Sequence, residues 1–320
     1  LLVPAITVLF IGLSVLAVMR DRKKFPRNDV LMVLLYVIVT VLSTVAVWPF
    51  LWEAPVAHLL EAYRFMSTIG VSTYYMGEHI NSLPWHYIPV WIGISTPPLY
   101  TVLFVLGVGA LLLQILRGPV RFVLQETAGM LPLLWLLLPV LSVYISGAGI
   151  FDGWRHLYFI YPAFLLIALL GVQAVMQVVR NKNSRIVLGM LIAVHSLWIA
   201  VWMVRNHPVQ STYFALPARY VQNNFELDYW GLSYRPAMEY LLRMDKSPHL
   251  PVWTASSPGF YTLDILRTED RKRMTYERGT VKYALDNFRD AKYRQTITDP
   301  EIYTVFAGKV KVLAVYRMTK

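Results

Sequence analysis

The chain has 320 residues, of which 56% are hydrophobic and 15% are charged, with a formal net charge of +11 and a mean hydropathy of +0.47. Soluble globular proteins are about half apolar and about one quarter charged, so this composition indicates a membrane protein. The chain contains no cysteine, which excludes disulfide frameworks, thiolate zinc sites and cysteine nucleophiles.

Six apolar segments are long enough to cross a membrane as helices. A bilayer core is about 30 Å thick, so a helix that rises about 1.5 Å per residue needs roughly 20 apolar residues. Buried helices of a large soluble protein rarely supply six such runs in succession, which favours membrane spans. Because Leu1 begins the chain inside an apolar run, without Met or the basic start of a signal peptide, we expect an upstream part to be missing. The predicted spans are residues 1–19, 30–52, 98–116, 130–147, 157–179 and 186–204.

Basic residues in the short loops predict which side of the membrane each loop faces, because cytoplasmic loops carry an excess of Lys and Arg. Three alternate connections, 20–29, 117–129 and 180–185, contain this excess and are predicted to be cytoplasmic. The other water-facing parts are predicted to lie outside, namely residue 1, the segments 53–97 and 148–156, and the tail 206–320. The deciding residues are Arg20, Arg22, Lys23, Lys24, Arg27, Arg117, Arg121, Arg180, Lys182 and Arg185.

The outer segment 53–97 is too polar to span the membrane and too aromatic for a loose loop. Residues 56–66 space their apolar side chains as a helix lying in the membrane interface would. An aromatic belt that only anchors the neighbouring spans is the open alternative. Glu78 and His79 are adjacent, so they point in different directions on a helix or strand, and the histidine spacing has no metal-site signature.

Asp152, Arg155 and His156 lie in the tight loop 148–156, at the predicted outer end of the fifth span. An Arg in this position can be a snorkelling residue, whose head reaches water while its stem stays in the apolar layer. Positive charge is sparse on the outer side, however, and this guanidinium is flanked by an acid and an imidazole. An Arg at this depth can bind a phosphate through two parallel hydrogen bonds, and the phosphate interpretation is favoured.

The tail 206–320 is predicted to be a small α/β domain. Pro251–Ser256 and Val310–Tyr316 are rich in Val, Trp and Tyr, which predicts strands. Residues 236–244 and 281–290 are predicted to be short helices. The excess of Lys and Arg suits a membrane-apposed surface or an anionic ligand, although a basic solvated face is the more frequent explanation.

The predicted architecture is an α-helical polytopic membrane protein, with a transmembrane domain over 1–205 followed by the extracytoplasmic α/β tail. The sequence contains no Walker loop, no Gly-rich dinucleotide fingerprint, no Ser nucleophile elbow and no His-Glu-x-x-His motif. Cytoplasmic ATP chemistry is therefore unsupported. Nucleic acid is not an expected partner, because the basic residues outside the tail set the topology.

Three strings, in this order, resemble a known family. They are YYMGEHINSLPWHYIPVWIGISTPP at 74–98, FDGWRHLYFIYP at 151–162, and NHPVQSTYFALP followed by FELDYWGLSYRPAMEYLL within 206–242. Together they resemble the C-terminal half of integral-membrane glycosyltransferases of the GT-C superfamily. This group is related to protein O-mannosyltransferases and aminoarabinose transferases, and the chain looks most like bacterial members. The resemblance covers most of 74–242.

The resemblance implies an enzyme that takes a sugar from a polyprenyl-phosphate carrier and transfers it to a glycan, lipid or protein acceptor. The reaction would take place among membrane lipids on the outer face of the bacterial cytoplasmic membrane. In such enzymes the catalytic carboxylate lies in the first outer loop, which is not in this sequence. We therefore expect the chain to hold part of the pocket and to be inactive alone. No cofactor is implied, and a divalent metal has no support in the sequence.

The resemblance also suggests roles for residues of this chain. Arg155 and His156 are expected to stabilise the lipid phosphate as the glycosidic bond breaks, with Asp152 orienting Arg155. The string FELDYWG could contact the acceptor or could dock the tail onto the membrane part, and docking is favoured. The remaining residues expected on the pocket or acceptor side are Glu78, His79, Trp85, His86, Asp228 and Tyr229.

Two other functions compete with sugar transfer. A transporter or flippase for a lipid-linked sugar needs polar residues along a path across the membrane, and the predicted spans are nearly free of charge. A non-catalytic membrane subunit would use the tail to bind a partner, and substitution of Arg155 would then leave its function intact.

Overall fold

A computed structural model describes residues 27–68, 72–119, 122, 127–279, 281–289 and 297–319. These residues form two compact units. The helical unit comprises the described residues of 27–68, 82–88 and 98–189, and the sheet unit comprises those of 72–81, 89–97 and 190–319.

Seven α-helices lie within residues 27–205 of the described part of the chain. Helix α6, Tyr161–Val178, follows directly on a 3₁₀ turn, Arg155–Ile160. The boundary between the two units falls within helix α7, Lys182–Arg205. The helices are α1 Arg27–Val47, α2 Pro55–Thr68, α3 Tyr87–Ser95, α4 Pro98–Arg117, α5 Thr127–Ser146, α6 Tyr161–Val178 and α7 Lys182–Arg205.

Four helical segments are long and apolar enough to cross a membrane. They are Pro98–Arg117, Gly129–Ser146, Arg155–Val178 and Lys182–Arg205, and they coincide with the last four predicted spans. The chain is therefore assigned as an integral membrane protein.

The predicted count of six spans is not confirmed. Helix α1 overlaps the second predicted span, but its described apolar part, Leu34–Val47, is shorter than a full span. The predicted span 1–19, the basic residues before Arg27, and Arg121 lie outside the described residues.

Two glycines let α4 and α6 approach until their backbones touch. A Cβ atom on Gly107 would lie 1.9 Å from the carbonyl oxygen of Ile167, and one on Gly171 would lie 2.0 Å from that of Leu103. Small residues at a helix crossing permit this close packing in membranes, where apolar burial against lipid gives little preference. The crossing therefore depends on the absence of both side chains.

The sheet unit contains a five-stranded mixed sheet with the order β4-β3-β5-β7-β6. Strand β3 pairs in parallel with β4 and β5, whereas β7 pairs antiparallel with β5 and β6. Helices α8 to α11 accompany it, and the rings of Tyr240 and Tyr303 stack at 4.0 Å between α9 and β6. The elements are β3 Leu250–Thr254, β4 Met274–Tyr276, β5 Tyr283–Asp286, β6 Glu301–Ala307, β7 Val310–Arg317, α8 Ala218–Asn224, α9 Tyr234–Met244, α10 Ser257–Thr262 and α11 Thr268–Arg273.

Three of the four elements predicted in the tail are confirmed. The two predicted strands correspond to β3 and β7, and the helix at 236–244 lies within α9. The helix predicted at 281–290 is wrong, because Tyr283–Asp286 is strand β5 and all four of its residues are buried. Val281, Tyr283 and Leu285 alternate as apolar residues do in a strand, a signal too short to outweigh the helix-favouring residues between them.

The segment 53–97 is shared between the two units. The helix predicted at 56–66 is confirmed as part of α2, which belongs to the helical unit, and its place in the membrane interface stays a prediction. The hairpin of β1 Thr73–Tyr75 and β2 Glu78–Ile80 belongs to the sheet unit. There Thr73 donates a hydrogen bond to Glu226 Oε1 at 2.7 Å.

The end of α7 is fixed to the turn between β6 and β7. The side-chain oxygen of Asn206 accepts a hydrogen bond from the backbone N–H of Gly308 at 2.5 Å. Gly308 has a φ of +59°, and a Cβ there would lie 3.0 Å from the ring nitrogen of Trp202. A helix with the length and hydropathy of a membrane span therefore ends directly against the sheet.

Candidate functional site

The turn that carries the predicted phosphate site is made by two consecutive left-handed residues. Asp152 has a φ of +56° and Gly153 a φ of +74°. Gly has no Cβ to clash in this region, and Asp tolerates it better than most residues, so Asp-Gly suits such a turn. The chain then enters the 3₁₀ turn Arg155–Ile160, which starts the apolar segment Arg155–Val178.

Arg155 is held by the residues that precede it. Its Nη2 lies 3.8 Å from Asp152 Oδ2, and its Nε donates to the carbonyl oxygen of Phe151 at 3.5 Å. The guanidinium carbon also lies 4.7 Å from the centroid of the Phe151 ring, a cation–π distance. The side chains of Arg155 and Asp152 are only 16% and 3% exposed. Arg155 is therefore a covered, oriented cation and differs from a snorkelling side chain with its head in water.

His156 is the second group of this turn. Its ring meets the ring of Phe151 edge-on at 4.8 Å, so the same phenylalanine supports both the imidazole and the guanidinium. The Nδ1 atom is buried and has no hydrogen-bond partner among the residues that the structure describes. Buried polar atoms are normally paired, so an imidazole nitrogen in this state is suited to contact a ligand or water.

An aromatic cluster lies beside this turn. The buried ring of Trp154 contacts Tyr158 at 4.9 Å and Tyr161 at 5.8 Å. Tyr158 is exposed, so the cluster continues to the surface of the helical unit. We use "DGWRH turn" for residues 152–156 from here on.

The other predicted residues of the outer segment lie apart from the DGWRH turn in sequence and differ in setting. Trp85 is 78% exposed and meets the His86 ring edge-on at 5.5 Å in the helical unit. Glu78 and His79 are exposed on β2 of the sheet unit, where successive side chains point to opposite faces. His79 contacts the ring of Tyr74 at 5.2 Å.

Asp228 is buried in the sheet unit, with 2% of the residue exposed. Its carboxylate accepts hydrogen bonds from the backbone N–H of Leu232 at 3.1 Å and of Ser233 at 2.9 Å, and from the Ser233 hydroxyl. Burial raises the pKa of Asp228, although the hydrogen bonds from Ser233, Leu232 and Gly231 oppose that shift. These bonds fix the loop that leads into α9, which is a structural role.

Tyr229 and Trp230 line an open pocket of about 720 Å³ in the sheet unit. The guanidinium carbon of Arg289 lies 4.5 Å from the centroid of the Tyr229 ring. Sequence reasoning found Tyr229 and Trp230 but missed Arg235, Tyr261 and Arg289, which also line the pocket. No local motif marks these three, and Arg289 fell in the segment wrongly predicted as a helix. The lining residues are Pro208, Tyr229, Trp230, Gly231, Leu232, Arg235, Ser257, Pro258, Tyr261, Thr262, Ile265 and Arg289.

Within the described ranges, no group of three or more His, Asp or Glu side chains is arranged to hold a metal ion.

The structure brings Asp152, Arg155 and His156 together in one turn of the helical unit, and places Tyr229 in a pocket of the sheet unit. Comparison of the chain with protein-family models, with curated proteins and with solved structures finds no match.

Proposed function

We propose that the protein is a membrane glycosyltransferase that moves a sugar from a polyprenyl-phosphate carrier to an acceptor on the extracytoplasmic face. The observation that carries the proposal is the DGWRH turn, which holds an oriented arginine at the start of an apolar membrane helix. The resemblance of 74–242 to integral-membrane glycosyltransferases supports the same reaction. The sheet unit would then lie outside the cytoplasm, as the distribution of basic loops predicts.

The reaction breaks the bond between the anomeric carbon of the sugar and the phosphate oxygen of the carrier. The bonding electrons leave with that oxygen, so negative charge grows on the lipid phosphate. An acceptor hydroxyl forms the new glycosidic bond and loses its proton to a base, which the resemblance places upstream of this chain. Stabilisation of the leaving phosphate is the task left to the residues described here.

Arg155 suits that task because of its position and its neighbours. A guanidinium at the end of a membrane helix lies at the depth of a lipid headgroup, and its planar donors match phosphate oxygens. Asp152 and the carbonyl of Phe151 orient the guanidinium of Arg155, and the Arg155 side chain is mostly covered by protein. The partial burial of the pair reduces competition from water and strengthens an interaction with an anion.

His156 would provide a hydrogen bond to the same phosphate or to the sugar. Its Nδ1 is buried and has no hydrogen-bond partner in the part of the chain that the structure describes, so a ligand oxygen would satisfy it. The pocket or acceptor-side roles of Trp85 and His86 in the helical unit stay predictions. The same holds for Glu78, His79 and Tyr229 in the sheet unit.

Transfer from a radiolabelled polyprenyl-phosphate sugar tests the proposal, using the full-length gene product in proteoliposomes and a panel of sugars. Arg155→Ala should lower the transfer rate by about a hundredfold, the usual effect of removing one preorganised donor. Arg155→Lys should retain part of the activity, since it keeps the charge but not the planar geometry. Arg205→Ala is the matched control, because Arg205 also ends an apolar helix and is exposed.

Transfer by the wild type with full activity in Arg155→Ala would leave the reaction class standing and refute the site. Absence of transfer across the donor panel, together with lipid translocation, would favour a flippase. Absence of transfer together with tight binding of a protein partner by the sheet unit would favour a non-catalytic subunit.

A further inference from the structure

The pocket of the sheet unit opens where two parallel strands end. Strand β3 ends at Thr254 and β5 at Asp286, and the two strands are hydrogen-bonded neighbours. The lining residues Ser257 and Pro258 follow β3, and Arg289 follows β5. Loops after the carboxyl ends of parallel strands are the usual ligand-binding position in α/β sheets. The volume of about 720 Å³ is within the roughly 300–1,000 Å³ of small-ligand sites.

A buried hydrogen-bonded network joins the segments that carry the lining residues of this pocket. The Tyr234 hydroxyl lies 3.1 Å from both Ser256 Oγ and Asn287 Oδ1. The Asn287 amide donates to the backbone carbonyl of Asp228 at 2.9 Å. These contacts join the ends of β3 and β5 to the loop before α9, so the lining side chains stand on a rigid base before any ligand binds.

Glycine permits the close approach of two walls. Gly231 has a φ of +65°, and a Cβ at this position would lie 2.4 Å from the Cβ of Pro258. The loop that carries Tyr229 and Trp230 therefore lies directly against the start of α10. This contact brings together the two segments that carry Trp230 and Tyr261, which both line the pocket.

The walls of the pocket present aromatic faces. Trp230 is 55% exposed and Tyr261 is 63% exposed, so both offer large rings to solvent. Solitary exposed aromatic residues need no explanation, but two of them in one preorganised pocket suit a ligand with a flat apolar face. The C–H face of a pyranose ring is such a surface.

Charged side chains also line the pocket. Among the described residues that line it, Arg235 and Arg289 are the charged ones and no carboxylate is present. Arg289 stacks over Tyr229, which orients its guanidinium, and Arg235 is braced by Glu239 at 3.0 Å outside the lining. Planar guanidinium groups bind carboxylates and phosphates through paired hydrogen bonds.

We propose that this pocket binds an anionic saccharide, in which a sugar ring stacks on Trp230 or Tyr261 and a carboxylate or phosphate contacts Arg235 or Arg289. The ligand belongs either to a water-soluble glycan or to the headgroup of a lipid-linked sugar phosphate. The inference rests on the chemistry of the pocket and does not depend on sugar transfer.

Binding to the purified chain in nanodiscs tests this inference. The probes are a glucuronate-containing oligosaccharide, its neutral counterpart, and a polyprenyl-phosphate sugar incorporated into the disc, with affinity followed by tryptophan fluorescence or calorimetry. An anionic probe should bind at least about tenfold more tightly than the neutral one, a difference of about 1.4 kcal/mol. Preference for the soluble uronate identifies a glycan. Preference for the lipid-linked sugar that Trp230→Ala abolishes and Arg155→Ala leaves intact identifies a headgroup.

Substitutions assign the binding to this pocket. Trp230→Ala and Arg289→Ala should each weaken binding of the anionic probe by about tenfold, whereas Trp230→Phe should retain most of it. Arg243→Ala, at the exposed far end of the helix that carries Arg235, and Phe306→Ala, an exposed aromatic on β6, are the matched controls and should bind as wild type does.

The inference is overturned if neutral and anionic probes bind equally, if no saccharide binds to a folded wild type, or if Trp230→Ala and Arg289→Ala match their controls. Arg155→Ala should leave soluble-saccharide binding unchanged, and Trp230→Ala should leave the affinity for polyprenyl phosphate unchanged. These reciprocal results distinguish failure at this pocket from failure of the transferase proposal.

Discussion

The helical unit and the sheet unit each contain an aspartate in a tight turn, and the two aspartates are held differently. Asp228 of the sheet unit accepts three hydrogen bonds from groups at the start of a helix. Asp152 of the helical unit lies 3.8 Å from Arg155, beside an imidazole whose buried Nδ1 has no hydrogen-bond partner among the described residues. A buried polar group whose hydrogen bonds are made within the protein stabilises the fold. A buried polar group that makes no hydrogen bond to the described protein is suited to bind a ligand. The comparison therefore supports the ligand-binding role proposed for Arg155 and His156, and a structural role for Asp228.

The helical unit should be most sensitive where α4 and α6 touch. Gly107→Val would place a branched side chain where even a Cβ lies 1.9 Å from the backbone of Ile167, so the helices must separate. We expect loss of monodisperse protein in detergent, measured by fluorescence size-exclusion chromatography. Gly109→Val is the matched control, because a Cβ on Gly109 meets nothing within 4 Å. Equal yields of the two variants would refute the close crossing.

The sheet unit should depend on the oxygens of Asp228 and not on its charge. Asp228→Ala leaves the N–H groups of Leu232 and Ser233 without their acceptor, which should cost about 1–3 kcal/mol. Asp228→Asn keeps only one of the two acceptor oxygens and turns an NH2 donor toward the other N–H group, so its loss should be smaller than that of Asp228→Ala but not zero. Thermal unfolding of the purified chain in nanodiscs checks the difference. Wild-type unfolding temperatures in both variants would contradict the structural role.

A smaller, pH-dependent effect should come from Asp245. Burial acts to raise its pKa, but hydrogen bonds from Lys282, Ser247 and Tyr283 outweigh burial and hold the pKa well below its usual range. A depressed pKa stabilises the fold above the unfolded value of about 4 and loses that contribution as the pH falls toward the folded value. The unfolding temperature should therefore fall as the pH drops below about 4.

Asp245→Asn should flatten this dependence while lowering the unfolding temperature near neutral pH by a few degrees, at roughly 4–8 °C per kcal/mol for a small domain. The measurement is thermal unfolding between neutral and acidic pH. Asp264→Asn is the control, since its contact with Arg271 is exposed on both sides. Parallel pH profiles for wild type and Asp245→Asn would show that the Asp245 contacts add no stability.

The parts of the fold that the sequence predicted are those whose structure depends on residues close together in the chain. The apolar runs at 98–116 and 157–179 are long enough to specify helices alone, and the whole DGWRH turn lies within five residues. The missed parts depend on distant pairing. Strand β5 is defined by its neighbours β3 and β7, and Thr73 reaches a partner 153 residues away.

The pocket of the sheet unit illustrates the same limit. Trp230, Tyr261 and Arg289 come from three separate stretches that only the order of the sheet brings together. No sequence motif surrounds Tyr261 or Arg289. Hydrophobic periodicity predicts the helix or strand in which a residue lies, but it does not predict which distant residues lie beside it. Docking of the tail onto the membrane part by the string FELDYWG stays a prediction. The hydrogen bonds of Asp228 show a different, local role in the loop before α9.

The most direct test of the central claim is binding of polyprenyl phosphate to the purified chain in nanodiscs, with polyprenol as the uncharged comparison and native mass spectrometry as the readout. The wild type should prefer the phosphate. Arg155→Ala should weaken phosphate binding by at least about tenfold, leave polyprenol binding unchanged, and differ in this from Arg205→Ala. Equal phosphate affinity in wild type, Arg155→Ala and Arg205→Ala would contradict the assignment of the DGWRH turn as a lipid-phosphate site.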